Sequence, residues 1–154
     1  MIYLLDTDLL IFMVRGLKAT ARRARNRQQA AKLMDRCRRA QAAGDSVGLS
    51  AVTVSELEFG ARKGGRYDDE IAALRKVLTP LDLYGYDAVS CPECYGRLRN
   101  ELETRGQTIG SMDLLIAAHA LALNAALVTN NDAHFSRVAG LRVVNWLKQA
   151  AGSA

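Results

Sequence analysis

Short apolar runs alternate with helical segments along the whole chain, and this alternation constrains the fold more than any other feature. Ile2–Leu5, Val47–Leu49, Leu81–Leu83, 126–129 and Leu141–Val144 have strand length. Runs so short and so apolar suit strands covered on both faces. Between them the pattern predicts helices. Asp8 can cap one that runs through Val14 and stops at Gly16. A long one covers 19–43, in which Ala30, Leu33, Met34 and Cys37 share a face at i, i+3, i+4, i+7 spacing. Others span 52–62, 68–78, 87–105 and 112–123, the last with Ser111 as cap. Gly44, Gly64-Gly65 and Gly106 punctuate them. Strands separated by helices require crossovers, so the prediction is a parallel sheet in an α/β sandwich. In open sheets of this kind the site lies beyond the carboxyl ends of the strands, at a reversal of strand order.

Four acids stand at the ends of these elements. Asp6 follows Ile2–Leu5, and Glu56 lies in Thr53-Val54-Ser55-Glu56-Leu57-Glu58-Phe59-Gly60. Asp113 opens the buried-helix pattern Leu114-Leu115-Ile116-Ala117-Ala118, and Asp132 follows Val128-Thr129-Asn130-Asn131. Carboxylates delivered singly from separate strand and helix ends can converge, and such a group repels itself unless a cation intervenes. Mg²⁺ or Mn²⁺ suits that role, since a hard ion takes one or two carboxylates directly, keeps several waters and serves phosphate chemistry. Taken singly, each acid also has an ordinary reading: Asp6 as a strand-end turn or cap, Asp113 as a complement to the helix dipole. Glu58 sits two residues from Glu56, about 200° around a helix, so the two cannot face one ion.

At 154 residues the chain suits one domain, and an apolar share of 49% fits a globular protein. The first strand starts at Ile2 without a basic leader, and His119 and Asn124 interrupt the longest apolar stretch, so neither export nor a membrane span is expected. Three cysteines argue against a disulfide framework and fit a reducing cytoplasm. The net charge of +5 is concentrated. Arg15 to Arg39 holds ten Lys/Arg against Asp35 alone, while the remainder carries 11 basic and 15 acidic residues. Within that segment Arg22, Arg23, Arg25 and Arg27 occupy the polar first half of the long helix, free to meet a phosphate backbone or to form a solvated face.

Four of these segments carry a family resemblance. Leu5-Asp6-Thr7-Asp8-Leu9-Leu10-Ile11, Thr53-x-x-Glu56-Leu57-x-x-Gly60, Ile109-Gly110-x-x-Asp113-x-x-Ile116-Ala117-Ala118 and Val128-Thr129-Asn130-Asn131…Phe135 resemble, in register, the motifs of PIN-domain ribonucleases, and among them the VapC toxins of VapBC toxin–antitoxin pairs. The ending Arg137-Val138-x-Gly140-Leu141-Arg142-Val143-x-Asn145-Trp146 is similar too. The resemblance covers residues 1–147, leaving 148–154 as a tail. It implies a PIN-like three-layer sandwich with a central parallel sheet. It also implies metal-assisted endonucleolytic cleavage of RNA to a 3′-hydroxyl and a 5′-phosphate, inhibition by a small antitoxin, and a toxin homodimer. The implied catalytic acids are Asp6, Glu56, Asp113 and Asp132, of which Asp6, Asp113 and Glu56 are the metal ligands. Thr7, Thr129, Asn130 and Asn131 support them, and Asn131 or Asp132 completes the site. The segment from about 18 to 44 is longer than the family pattern, which bears on substrate access and antitoxin docking.

Two rival functions share parts of this signature. Asp6-Thr7-Asp8 also resembles the opening of haloacid-dehalogenase-type phosphatases, but the chain has no later paired-acid motif of that type. A PIN-like module that binds RNA without cutting is the other rival. Cys91-Pro92-Glu93-Cys94 lacks a second half-site and is read as structural. His119 is expected in the core or just behind the site, and His134 in a surface loop near the acids. Tyr84, Tyr86, Tyr95 and Trp146 suit packing or a dimer face.

Overall fold

The computed structural model describes residues 1–19 and 23–148. Its strands are β1 (Ile2–Leu5), β2 (Ser46–Ser50), β3 (Asp82–Tyr84), β4 (Ala126–Val128) and β5 (Arg142–Val144). Its helices are α1 (Thr7–Leu17), α2 (Ala24–Ala42), α3 (Ala51–Lys63), α4 (Tyr67–Leu78), α5 (Ser90–Thr104), α6 (Ser111–Ala122) and the short α7 (Asp132–Phe135). All strand pairs are parallel, in the order β3-β2-β1-β4-β5, with Tyr3 opposite Val47 and Ala126, and Leu4 opposite Leu127.

Side chains alternate across a strand, and here the alternation sorts the sheet into two cores. Tyr3, Leu5, Val47, Leu49 and Val128 face one side, under α1 to α4, with Leu9, Met13, Leu33, Leu57 and Leu74. Ile2, Leu4 and Leu127 face the other, against Leu98 and Leu102 of α5, Ile116 and Ala117 of α6, and Phe135 of α7. Helices on both faces of a parallel sheet make the three layers expected. After β1 the chain moves outward through β2 and β3, then returns to β1's other side for β4 and β5. The reversal therefore lies between β1 and β4, and the carboxyl ends of those two strands are where a site belongs.

Several boundaries differ from the sequence reading, each for a local reason. Asp6, not Asp8, is the N-cap of α1; its extended backbone (φ −70°, ψ 150°) turns into the helix without a side-chain capping bond. Gly16 does not end α1. It lies within the helix against α2, where a Cβ would fall 2.7 Å from Ala30 Cβ and 2.8 Å from the Asn26 carbonyl oxygen. Close helix approach, not termination, explains this glycine. The long basic helix begins at Ala24 rather than 19, and Arg22 lies outside the described residues, as does the tail from 149. Ser111 is the first residue of α6 and Gly110 its cap. Helix α5 starts at Ser90, because the Asp87 carboxylate accepts the backbone N–H groups of Val89 (2.9 Å) and Ser90 (2.7 Å) just before it.

Among the described residues no helix is long and apolar enough to cross a membrane. Cys37, Cys91 and Cys94 are free thiols.

Candidate active site

Asp6 leaves the end of β1 and is only 2% exposed. Its backbone N–H donates to the Val128 carbonyl (3.0 Å), which ties the turn to β4. The Thr129 hydroxyl, fully buried one residue past β4, donates to Asp6 Oδ2 at 2.8 Å. Burial nevertheless pushes the Asp6 carboxyl up to about 6, against the pull of Thr129 and the Thr7 backbone and with help from the nearby charges of Asp8 and Asp113.

Glu56 arrives from α3. The Thr7 hydroxyl donates to Glu56 Oε1 at 2.9 Å and lies 3.0 Å from the buried Thr53 hydroxyl. A hydroxyl has one proton, so Thr7 gives its own to the carboxylate and Thr53 donates to Thr7. Desolvation raises Glu56 above its ordinary value, and Asp113 and Asp8 raise it further. Glu58 points elsewhere, accepting the Tyr67 phenol at 2.9 Å.

Asp113 sits in the first turn of α6. Its Oδ2 lies 3.1 Å from His134 Nε2, a contact that lowers the carboxyl while desolvation and Asp8 raise it, with a net rise. Three elements thus bring Asp6, Glu56 and Asp113 to one edge of the sheet.

Asp8 joins them and Asp132 does not. The negative charge of Asp8 acts on Asp6, Glu56 and Asp113 alike. Asp132, expected as the fourth acid, is held by Lys148 Nζ (3.1 Å) and Asn145 Nδ2 (3.2 Å), contacts that lower its carboxyl. It opens α7 and faces the chain's final segment. Asn130 and Asn131 are exposed at the rim, with the Asn131 backbone N–H bonded to Thr129 Oγ1 at 3.0 Å. Arg23, Arg25 and Arg27 are exposed at the start of α2.

Sequence reasoning passed over two members of the site. The helix pattern gives the cap to Asp8, but Asp6, two residues earlier, holds that position and leaves Asp8 to the acids. His134 was taken for a loop residue; α7 has too few residues to leave a periodic signal. His119 is fully buried behind the site, with Nδ1 2.8 Å from Ser50 Oγ, the same oxygen that accepts Val52 N–H to cap α3.

The acids converge loosely. Among the described residues, no three His, Cys, Asp or Glu side chains close into a ready-made cation cage. The donor set is still chemically suited to Mg²⁺ or Mn²⁺: oxygen only, with one buried carboxylate whose charge is under-compensated, and an ion of this type needs one or two such contacts.

Residues 3–141 match the family model of the PIN domain. The chain is 34% identical over 148 residues to Ribonuclease VapC2 of Rickettsia felis, covering 96% of this chain and all of that one. It is 31% identical over 144 residues to the tRNA(fMet)-specific endonuclease VapC of Shigella flexneri, covering 94% and 97%. Its structure matches that of VapBC2 from Rickettsia felis, solved bound to a DNA fragment from their promoter, with a TM-score of 0.80 and 32% identity over 95% of this chain and 99% of that one.

Proposed function

The chain belongs to the PIN-domain family, and from that premise we propose that it is a VapC-type endoribonuclease, the toxin of a toxin–antitoxin pair, working with Mg²⁺ or Mn²⁺. One observation carries the reading: Asp6, Glu56 and Asp113, from three separate elements, share an edge with Asp8; burial raises the proton affinity of each, and the charges of Asp8 on all three and of Asp113 on Asp6 and Glu56 raise it further. Mutual repulsion of that kind is relieved by a cation. Full-length similarity to ribonucleases supports the substrate class.

In this reading Asp6 and Asp113 would hold the ion, with Glu56 beside it. Such an ion would supply Lewis acidity to a water and positive charge to the phosphate oxygens. The chain's own residues do the rest. Thr129 fixes the Asp6 carboxylate, and His134 fixes that of Asp113. Thr7 holds one oxygen of Glu56, which leaves the other to take a proton from the attacking water. The raised proton affinity of Glu56 suits a base working near neutral pH. Asn130 and Asn131 offer amides to the RNA at the rim. The products are a 3′-hydroxyl and a 5′-phosphate.

Similarity to VapBC assemblies supports a small antitoxin as partner, and we extend this to a toxin homodimer in a reducing cytoplasm. The test is cleavage of RNA by purified protein. Wild type cuts in Mg²⁺ or Mn²⁺ and stops in excess EDTA, while Asp6→Asn and Asp113→Asn stay folded by circular dichroism and do not cut. Cleavage by either variant, or by wild type in EDTA, refutes the assignment. A wild type that binds RNA and never cuts it is the non-cleaving module instead.

A further inference from the structure

Between α1 and α2 lies a cavity of about 400 Å³ whose lining includes Asp8 of the acidic edge. Asp8, Phe12 and Arg15 line it from α1, and Arg23 and Asn26 from the start of α2. The α1 residues stand at i, i+4 and i+7, which is one face of a helix. That face runs away from the catalytic edge, with Arg15 about 10 Å along the axis from Asp8 at 1.5 Å per residue. Gly16 makes the arrangement possible. Without a Cβ there, α2 packs against α1 at Asn26 and Ala30, which brings Arg23 and Asn26 over the same face.

The cavity is electrically divided. Its inner end shares Asp8 with the site, and its outer end carries two guanidinium groups. Lys18, Arg39, Arg62, Arg99 and Lys148 each lie beside a carboxylate. Arg15 and Arg23 have no carboxylate partner among the described residues. Phe12 is only half-buried and lines the cavity together with Asn26. Arginine forks match phosphate oxygens, an aromatic face takes a base of any sequence, and an amide adds hydrogen bonds.

We propose that this cavity is a nucleotide subsite, binding the nucleotide next to the scissile bond, with Arg15 and Arg23 on its phosphate and Phe12 against its base. The proposal rests on the ribonuclease reading for the direction in which the RNA runs, from the acids into the cavity. It selects Arg23 from the basic segment and adds Arg15, which the helical pattern had not singled out. Arg25 and Arg27 do not line the cavity.

The test compares Arg15→Gln/Arg23→Gln with Lys32→Gln/Arg38→Gln, which removes the same charge from exposed positions further along α2. Binding of a labelled single-stranded oligoribonucleotide is titrated by fluorescence anisotropy in EDTA at several salt concentrations, and cleavage is followed separately in Mg²⁺. The cavity pair weakens binding about tenfold or more and flattens the log–log salt slope by about 0.7, the value for the one phosphate the two share. In cleavage KM rises while kcat at saturating RNA stays close to wild type, and Phe12→Leu weakens binding without altering the salt slope. The control pair shows neither change in slope nor the tenfold loss. Equal affinity and slope for the cavity pair and wild type overturn the subsite while leaving the nuclease standing. Wild type that binds but does not cut overturns the nuclease, and the binding comparison still decides the subsite. Wild type that does not bind the oligoribonucleotide overturns both. Unchanged RNA binding with loss of a co-purifying small protein makes the cavity a protein-docking site and overturns the proposal.

Discussion

Replacing Asp6 by Asn should stabilise the metal-free protein at neutral pH while removing its activity. The unfolded carboxyl ionises near 3.8 and the folded one near 6, so between these values the folded state holds the proton more tightly. Wild type therefore loses stability as pH rises through that window and does not regain it above. At 1.36 kcal/mol per pH unit, the rise is worth about 3 kcal/mol. Asn has no proton to lose, and its carbonyl oxygen still accepts from Thr129, but its NH₂ group cannot accept from the Thr7 backbone, which costs about 1 kcal/mol. The net gain is about 2 kcal/mol above pH ~6.5, or roughly 4–8 °C in Tm for a domain of this size; it falls to zero near pH ~4.5, and below that the variant is the less stable. Thermal melts by circular dichroism across that range, in excess EDTA, measure it directly. EDTA matters, because a bound cation would stabilise wild type by mass action and mask the effect. A variant that melts at or below wild type at pH 7.5, or a difference that ignores pH, refutes the claim that burial of this charge strains the fold.

Asp8→Asn should slow RNA cleavage by at least about tenfold, worth about 1.4 kcal/mol, whereas Asp132→Asn should keep most of the activity, since Asp132 is occupied by Lys148 and Asn145; initial rates in Mg²⁺ rank the two, and the reverse order removes Asp8 from the site. Gly16→Val should destabilise the fold by about 1–3 kcal/mol through overpacking against Ala30 and the Asn26 carbonyl, read as a lower urea midpoint; an unchanged midpoint means that α2 shifts freely. Expressed alone, the chain should slow growth, and co-expression of a small protein encoded beside it should restore growth; a harmless chain with no co-purifying partner counts against the toxin assignment.

The layers and the parallel run of the strands were legible because buried parallel strands leave apolar runs that nothing else of that length explains, whereas the strand order came from the structure alone. Asp6 and Asp113 were legible because each stands where an element ends; Glu56, expected at an end as well, lies mid-helix in α3 and was legible only through its motif. What stayed hidden was orientation. Asp6 and Asp8 are two residues apart across a strand-to-helix turn, and only the turn decides which caps the helix and which faces the acids. Asn131 and Asp132 pose the same problem after β4, and Lys148, far along the chain, draws Asp132 away. Gly16 shows a different gap: a helix-stop signal and a close-packing signal are the same letter until the partner helix is known.

The Thr129–Asp6 hydrogen bond joins residues 123 positions apart, and this fixes when the site comes into being during synthesis. As the chain leaves the ribosome, β1, α1 and β2 can associate early, but one edge of β1 stays bare until residues 126–128 arrive to pair with it. Until then Asp6 has neither its Thr129 donor nor the Val128 carbonyl that holds its turn, and Asp113 has no His134 beside it. The nascent chain is therefore catalytically incomplete for most of its translation. A protein that cuts RNA gains from that order, because the machine producing it has nearly finished before the cutting edge exists. Chains released early by a stop or a stall lack β4 and remain inert.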